Sequence, residues 1–152
     1  MESEQLRRLE DKQAIQELLV SYARSCDDRD WPRYRSLFIP EAVIDYTGAY
    51  GRSGLRDEIA NWVEAVISGP ALQHTQHLLS NIEITLAGDR AVGRADYLNP
   101  DVFTRSAGRE LLVNGGIYDF MAVRIDEGWR FSTLTARILW SAEGKISSRP
   151  LG

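Results

Sequence analysis

The sequence predicts an α+β domain in which three N-terminal helices pack in a strongly curved antiparallel sheet, forming a cone with an apolar interior. Apolar residues recur at three- and four-residue spacing in the first part of the chain and alternate in the second. The turns "AGD" and "DEG" join the alternating runs into hairpins.

The first helix follows from Leu6, Leu9, Ile15, Leu18, Leu19, Tyr22 and Cys26, with charged and polar residues between them. It runs into "CDDRDWP", where Asp30 can cap a short second helix reaching about Phe38, with Pro32 in its first turn. "AVIDYT" (42–47) reads as a strand, followed by the turn-rich "GAYGRSG". Its glycines lack the strand and spacing of a dinucleotide fingerprint. Ser53 is the expected cap of a third helix with Leu55, Ile59, Trp62, Val63, Val66 and Ile67 on its core face, and "SGP" (68–70) stops it. Four long antiparallel strands follow, within "NIEITLAGDRAVGRADYL", "ELLVNGGIYDFMAVRI" and "WRFSTLTARILW". The pair Gly115–Gly116 inside a strand predicts a bulge or sharp curvature.

The 152 residues fit one domain, 1–152, in which the polar "SAEGKISSRPLG" (141–152) reads as a mobile tail. With 43% hydrophobic and 26% charged residues, the composition is that of a globular chain and argues against disorder. A net charge of -4 with interspersed signs argues against a nucleic-acid or anionic-membrane partner, both of which call for a basic patch. No apolar run is long enough to span a bilayer, and the charged N-terminus lacks the apolar core of a signal peptide. Cys26, the single cysteine, can form no intrachain disulfide. A cytoplasmic location is expected.

Both histidines lie in "LQHTQHLLSN" (72–81). On a helix, His74 and His77 would share a face and could grip a metal; on a strand they point to opposite sides. The segment follows a helix stop and leads into an alternating run, so strand is expected and a two-histidine metal site is not. Parity does not decide which ring faces inward, because a bulge near Ser80 would reverse it. An arbitrary histidine is more often an ordinary surface or structural residue than a catalytic one.

"AIQELLVSYARSCDDRDWPRYRSLF", "TQHLLSNIEITLAGDRAVGRADYL" and "EGWRFSTLTARILW", in this order and spacing, resemble the SnoaL-like branch of the NTF2-like superfamily. Within it, the chain is similar to scytalone dehydratase and the bacterial bile-acid 7α-dehydratases. The resemblance runs from about residue 10 to 140. It implies a cone-shaped barrel, a deep pocket, catalysis without a cofactor, and a homodimer or higher homo-oligomer. It also implies that Asp27 orients His77 as a general base, with Tyr22 and Arg137 as further catalytic residues and Tyr46 binding substrate. Asn99, Asp101, Tyr118 and Trp62 complete the expected substrate-binding set. Cys26 departs from the pattern, standing where scytalone dehydratases carry a second pocket tyrosine. Asp101 lies near a further histidine of theirs, and Asn99 near an aspartate of the bile-acid enzymes.

The chemistry is consistent. An aspartate on one imidazole nitrogen fixes the tautomer and stabilises the protonated ring, leaving the other nitrogen to remove a proton next to a carbonyl. A phenol or guanidinium stabilises the developing enolate, and hydroxide leaves from the β-carbon. The expected reaction is therefore dehydration of a hydroxylated cyclic or polycyclic ketone, a small apolar oxygenated substrate. An isomerase or polyketide cyclase with the same pocket, or a non-catalytic small-molecule-binding or accessory protein, is the alternative. Each residue also has a plainer role: Asp27 as a turn cap, Tyr22 as core, Tyr46 as a strand aromatic. Arg137 interrupts an apolar strand; it either reaches an anionic or carbonyl partner inside or is a solvated charge outside. Asp96 and Asp119, also in strands, raise the same question.

Overall fold

The computed structural model describes residues 1–146. Helix α1 (Glu2–Asp27) is followed by α2 (Trp31–Ser36), strand β1 (Phe38–Gly48), the short β2 (Ser53–Leu55) and α3 (Arg56–Ile67). Strands β3 (Leu72–Thr75), β4 (Leu78–Ala87), β5 (Arg90–Arg105), β6 (Gly108–Ile125) and β7 (Gly128–Lys145) complete the described chain. None of its helices is long and apolar enough to cross a membrane.

The apolar stripe of α1 buries Ile15, Leu18, Leu19, Tyr22 and Cys26, whereas Leu6 and Leu9 are exposed. The expected stripe is thus used only in its C-terminal half. Asp30 caps α2, its Oδ1 accepting from the Arg33 N–H at 3.1 Å. Ser53 does not cap α3, because it belongs to β2; Leu55 occupies the cap position and the Glu58 carboxylate accepts its N–H at 3.1 Å. Ile59, Ala60 and Val63 form the buried face of α3, while Leu55 and Val66 are half exposed.

The strands form one sheet in the order β2-β1-β7-β6-β5, with β3 and β4 both paired to β5. Two features differ from the sequence expectation. The sheet is mixed, because β1 runs parallel to β7, with Ile44 opposite Leu134. It is also open, since β2 and the β3/β4 edge do not pair. Alternation reports which face a residue takes, not the direction of the neighbouring strand, so neither feature was legible from it. The predicted tail starts too early as well. Residues 141–145 belong to β7 and pair with Glu110–Asn114, and 147–152 lie outside the described residues.

Curvature has local causes. Between the pairs Ser80↔Asp96 and Glu83↔Arg94, β4 carries one extra residue, and Asn81 there has a positive φ of 50°. Between Gly115↔Trp140 and Gly116↔Ile138, the extra residue is Leu139 of β7. A Cβ on Gly116 would run into the Arg137 carbonyl and the Tyr97 ring, so this close approach requires glycine.

Far from this bend, Asp11 ties α1 to the β6–β7 hairpin. Its carboxylate accepts from Arg124 Nη2 at 2.6 Å and Trp129 Nε1 at 3.1 Å, and Arg124 also reaches Asp89 at 2.9 Å. The Arg124 guanidinium lies 4.7 Å from the centre of the Trp129 ring. Arg124 holds the Asp11 carboxyl below its usual range, against the opposing effect of burial. Asp11→Ala leaves the buried indole N–H without its acceptor and is expected to lower the unfolding free energy by about 2 kcal/mol in urea titrations. A carboxyl with a depressed folded pKa stabilises above its unfolded value and loses that contribution as pH falls towards the folded one. The stability difference between wild type and Asp11→Ala should therefore shrink below the ordinary value of 3.8.

Candidate active site

Helix α1 ends at Asp27, and Arg29, with φ 57°, turns the chain away. The Arg29 guanidinium donates to the Leu72 carbonyl at 2.7 Å, which fastens the start of β3 to this turn. Four residues later the edge strand breaks: Gln76 and His77 lie between β3 and β4, with the Gln76 N–H still bonded to the Pro100 carbonyl. His77 is placed at this break, opposite the end of α1.

Asp27 holds it twice. Oδ1 lies 2.7 Å from His77 Nδ1, and Oδ2 accepts the His77 backbone N–H at 3.1 Å. An ionised carboxylate only accepts, so Nδ1 carries the proton and Nε2 is left for other chemistry. The two side chains retain 9% and 13% exposure, which keeps the pair largely out of bulk water. Asp27 is therefore no turn cap. His74, on β3, is exposed.

His77 lines a cavity of about 240 Å³ between the helices and the concave face of the sheet; Asp27 stands behind it, off the cavity wall. Val63, Val66, Ile67, Leu72 and Phe103 give this space an apolar side. Tyr22, Tyr46, Tyr97 and Tyr118 also line it. The Tyr46 hydroxyl lies 2.7 Å from that of Tyr22 and 2.8 Å from that of Tyr34, which is itself fully buried on α2. Tyr97 stacks on Tyr118 with ring centres 4.4 Å apart, and Tyr118 meets Tyr22 edge-on. Burial raises the pKa of these five tyrosines, that of Tyr97 to about 12, so the phenols stay protonated and can donate hydrogen bonds at neutral pH.

A second polar group faces the cavity from β5. Asn99 Nδ2 lies 3.1 Å from Asp101 Oδ1, 2.9 Å from the Gln76 carbonyl and 3.2 Å from Thr75 Oγ1. Burial, with the Asp27 carboxylate adding to it, pushes the Asp101 carboxyl up, opposed by hydrogen bonds with Thr75 and Asn99 and by the field of His77. Asp101 is thus the cavity carboxyl that keeps its proton to higher pH than an ordinary aspartate.

Eight of the nine expected site residues converge. His77, Tyr22, Tyr46, Asn99, Asp101, Tyr118 and Trp62 line the cavity, and Asp27 supports His77. Arg137 does not. It is on the outer face of β7, with Nε 3.6 Å from Asp119 Oδ2, while its neighbours Ala136 and Ile138 face the cavity. Strand parity sends the guanidinium outward, so the catalytic role expected of it is withdrawn. Asp119 shares that outer face, and Asp96 bonds Asn81 there at 2.8 Å. Sequence reading missed Tyr97, Asn114 and Tyr34. Tyr97 was within reach of it, since Tyr97, Asn99, Asp101 and Phe103 occupy alternate positions of one strand and all line the cavity. Tyr34 gave no signal, lying on a short helix among other aromatics.

A family model described as the SnoaL-like domain matches residues 7–135. The chain belongs to the SnoaL-like family. An uncharacterized protein of Mycobacterium tuberculosis H37Rv is 33% identical over 122 residues, covering 80% of this chain and 81% of the relative. Among solved structures, hexachlorocyclohexane dehydrochlorinase LinA-type3 from Novosphingobium barchaimii aligns with a TM-score of 0.82 and 22% identity, over 96% of this chain and 99% of that one. A Novosphingobium aromaticivorans protein assigned as a scytalone dehydratase aligns with 0.79 and 21%, over 95% of each. These likenesses show the SnoaL-like, NTF2-like fold. The residues around His77 must speak for the chemistry.

Because Asp27 fixes the ring through both oxygens, Asp27→Asn should release the tautomer while leaving the fold intact. Nitrogen-15 spectra of the histidines are expected to show Nδ1 protonated in wild-type His77 and a mixture of tautomers in the variant. An unchanged spectrum would show that something else orients the ring.

Proposed function

We propose that this protein is a cofactor-independent lyase that removes water from a hydroxylated cyclic ketone through an enolate. The observation that carries this reading is a partly buried carboxylate–imidazole pair opening onto a cavity walled by neutral phenols. His77 Nε2 takes the proton from the carbon next to the carbonyl. The electron pair moves onto the carbonyl oxygen, where the Tyr22–Tyr46 phenols meet the developing charge in a site from which water is largely excluded. Hydroxide leaves the β-carbon, taking the Asp101 proton, and departs as water. Protonated His77 then returns its proton by way of solvent to Asp101, and the cycle closes.

Two features narrow the substrate. The cavity falls just below the usual range for ligand pockets, which favours a molecule of few rings over an extended polycycle. The stacked Tyr97–Tyr118 pair and the Trp62 ring suit a flat, partly unsaturated body. The dehydrochlorinase and scytalone dehydratase likenesses also name eliminations, a support at the level of fold alone. Asp101 would equally suit an isomerase, since a second acid in the cavity can return a proton to a different carbon. Product analysis separates the two, because only elimination releases water, whereas an isomerase returns a product of unchanged mass.

On a panel of β-hydroxy cyclic ketones followed by enone absorbance, His77→Gln is expected to lower kcat by about 10²- to 10⁴-fold. Asp27→Asn should give a similar loss with KM little changed. Full activity in His77→Gln would sink the mechanism. The activity that the Asp101 proton supports falls as pH rises past that group's raised value, and Asp101→Asn should remove this alkaline fall together with most of kcat.

A further inference from the structure

Asn99 and Asn114 stand opposite one another on β5 and β6, and both line the cavity. The amide nitrogen of Asn99 is fully committed. It lies 2.9 Å from the Gln76 carbonyl, 3.1 Å from Asp101 Oδ1 and 3.2 Å from Thr75 Oγ1. A carbonyl only accepts, so the nitrogen must face Gln76, and Oδ1 is the atom turned away from it. On Asn114 the roles are reversed. Its Oδ1 accepts from the Ser141 hydroxyl at 2.7 Å, which leaves both protons of Nδ2 unused.

Asn99 Oδ1 and Asn114 Nδ2 have no partner among the described residues, where no buried side-chain polar atom goes unpaired. Both free atoms are therefore accessible. The wall thus offers one acceptor and one donor on directly paired strands. Opposed residues have Cα atoms about 4.5 to 5.5 Å apart. Two atoms hydrogen-bonded to the same oxygen are separated by about 4.5 to 5 Å. The pair fits one oxygen that both donates and accepts, which is a hydroxyl. A carbonyl, ether or halogen has nothing to give Asn99, and an ammonium cannot accept from Asn114.

Electron flow decides which hydroxyl this is. An acceptor on an O–H raises electron density at the oxygen and opposes its departure with the bonding pair. A leaving hydroxyl needs the opposite, a proton from an acid such as Asp101. We propose that Asn99 and Asn114 clamp a hydroxyl that the ligand keeps. Resting on the lyase reading, this makes the substrate a ring ketone with two hydroxyls, one eliminated and one retained.

The test is titration calorimetry with indanones that carry a hydroxyl, an amino group or a fluorine at each aromatic position in turn. None has a β-hydroxyl to lose, so binding is read without turnover. Fluorine is close to a hydroxyl in size but does not donate, and an aromatic amine donates but accepts poorly. At one position at least, the hydroxyl compound is expected to bind wild type about tenfold more tightly than its fluoro counterpart, with the amine between them. Asn99→Leu should abolish the preference of both hydroxyl and amine over fluorine. Asn114→Leu should lower hydroxyl affinity by about three- to tenfold and leave the amine little changed. The Asn114 side chain bonds only the exposed Ser141, so this variant decides alone should Asn99→Leu fail to fold. An equal loss for hydroxyl and amine in Asn114→Leu overturns the clamp. So does a hydroxyl preference that neither variant alters, equal affinity for the three substituents, or no binding of any indanone. If the preference follows the two asparagines but no β-hydroxy ketone turns over, the clamp stands and the lyase reading falls. If β-hydroxy ketones turn over and no hydroxyl preference exists, the lyase reading stands and the clamp falls.

Discussion

The bond between Asp27 and His77 joins the end of the first helix to the edge of the sheet across fifty positions of sequence. Much of the site depends on it. Asp27 accepts from both the ring and the backbone of the same residue, so it fixes the imidazole's orientation and also the path of the chain where β3 gives way to β4. A strand break without a partner would leave a backbone N–H seeking water beside an apolar cavity. Here the break is what allows a side chain between two edge segments to face a helix terminus. The same carboxylate therefore closes the fold and specifies the tautomer.

The phenols give the opposite end of the cavity a different electrostatic character. With Arg137 on the outer face, no arginine or lysine lines the described cavity. A negative charge on a ligand there would meet hydrogen bonds from neutral phenols. Such groups cost less to bury than a guanidinium would, and in a low-dielectric space their donors act at close to full strength. A wall of tyrosines whose burial keeps them protonated is a consistent solution to that constraint. It also explains how an apolar cavity can coexist with a carboxylate–imidazole pair. The carboxylate of Asp27 stays behind the histidine, and the surface offered to a ligand is the edge of one ring and a set of phenols.

Much of the site is legible in the sequence, and what is not has identifiable causes. Asp27 and His77 are singled out by the resemblance to the SnoaL-like branch, whereas the residues alone leave either histidine, and any aspartate of "CDDRD", open. The direction of His77 is not legible, since it depends on a break at residues 76–77 and a bulge near Asn81, each of which shifts the alternation. Arg137 shows the reverse error. A charge in an apolar strand suggests an interior role, but Ala136 and Ile138 on either side face the cavity and set its parity outward. Its partner Asp119, on the neighbouring strand, poses the same puzzle in the sequence, and nothing local pairs the two. The parallel pairing of β1 with β7 joins segments more than eighty residues apart, and no local pattern encodes the direction of such a neighbour.

The glycine pair in β6 connects curvature to chemistry. At Gly116 the Tyr97 ring and the Arg137 carbonyl occupy the space a Cβ would need, and a side chain there would displace both. Tyr97 would then lose its seat against Tyr118, and Tyr118 its edge contact with Tyr22. The extra residue Leu139 on β7 sits across from the same point. One missing Cβ and one inserted residue thus let the sheet bend and let the phenol wall assemble on its inner side. The cavity lies on the inner side of that bend, so its shape rests on the close approach of the Arg137 carbonyl and the Tyr97 ring at Gly116 as well as on the side chains that line it.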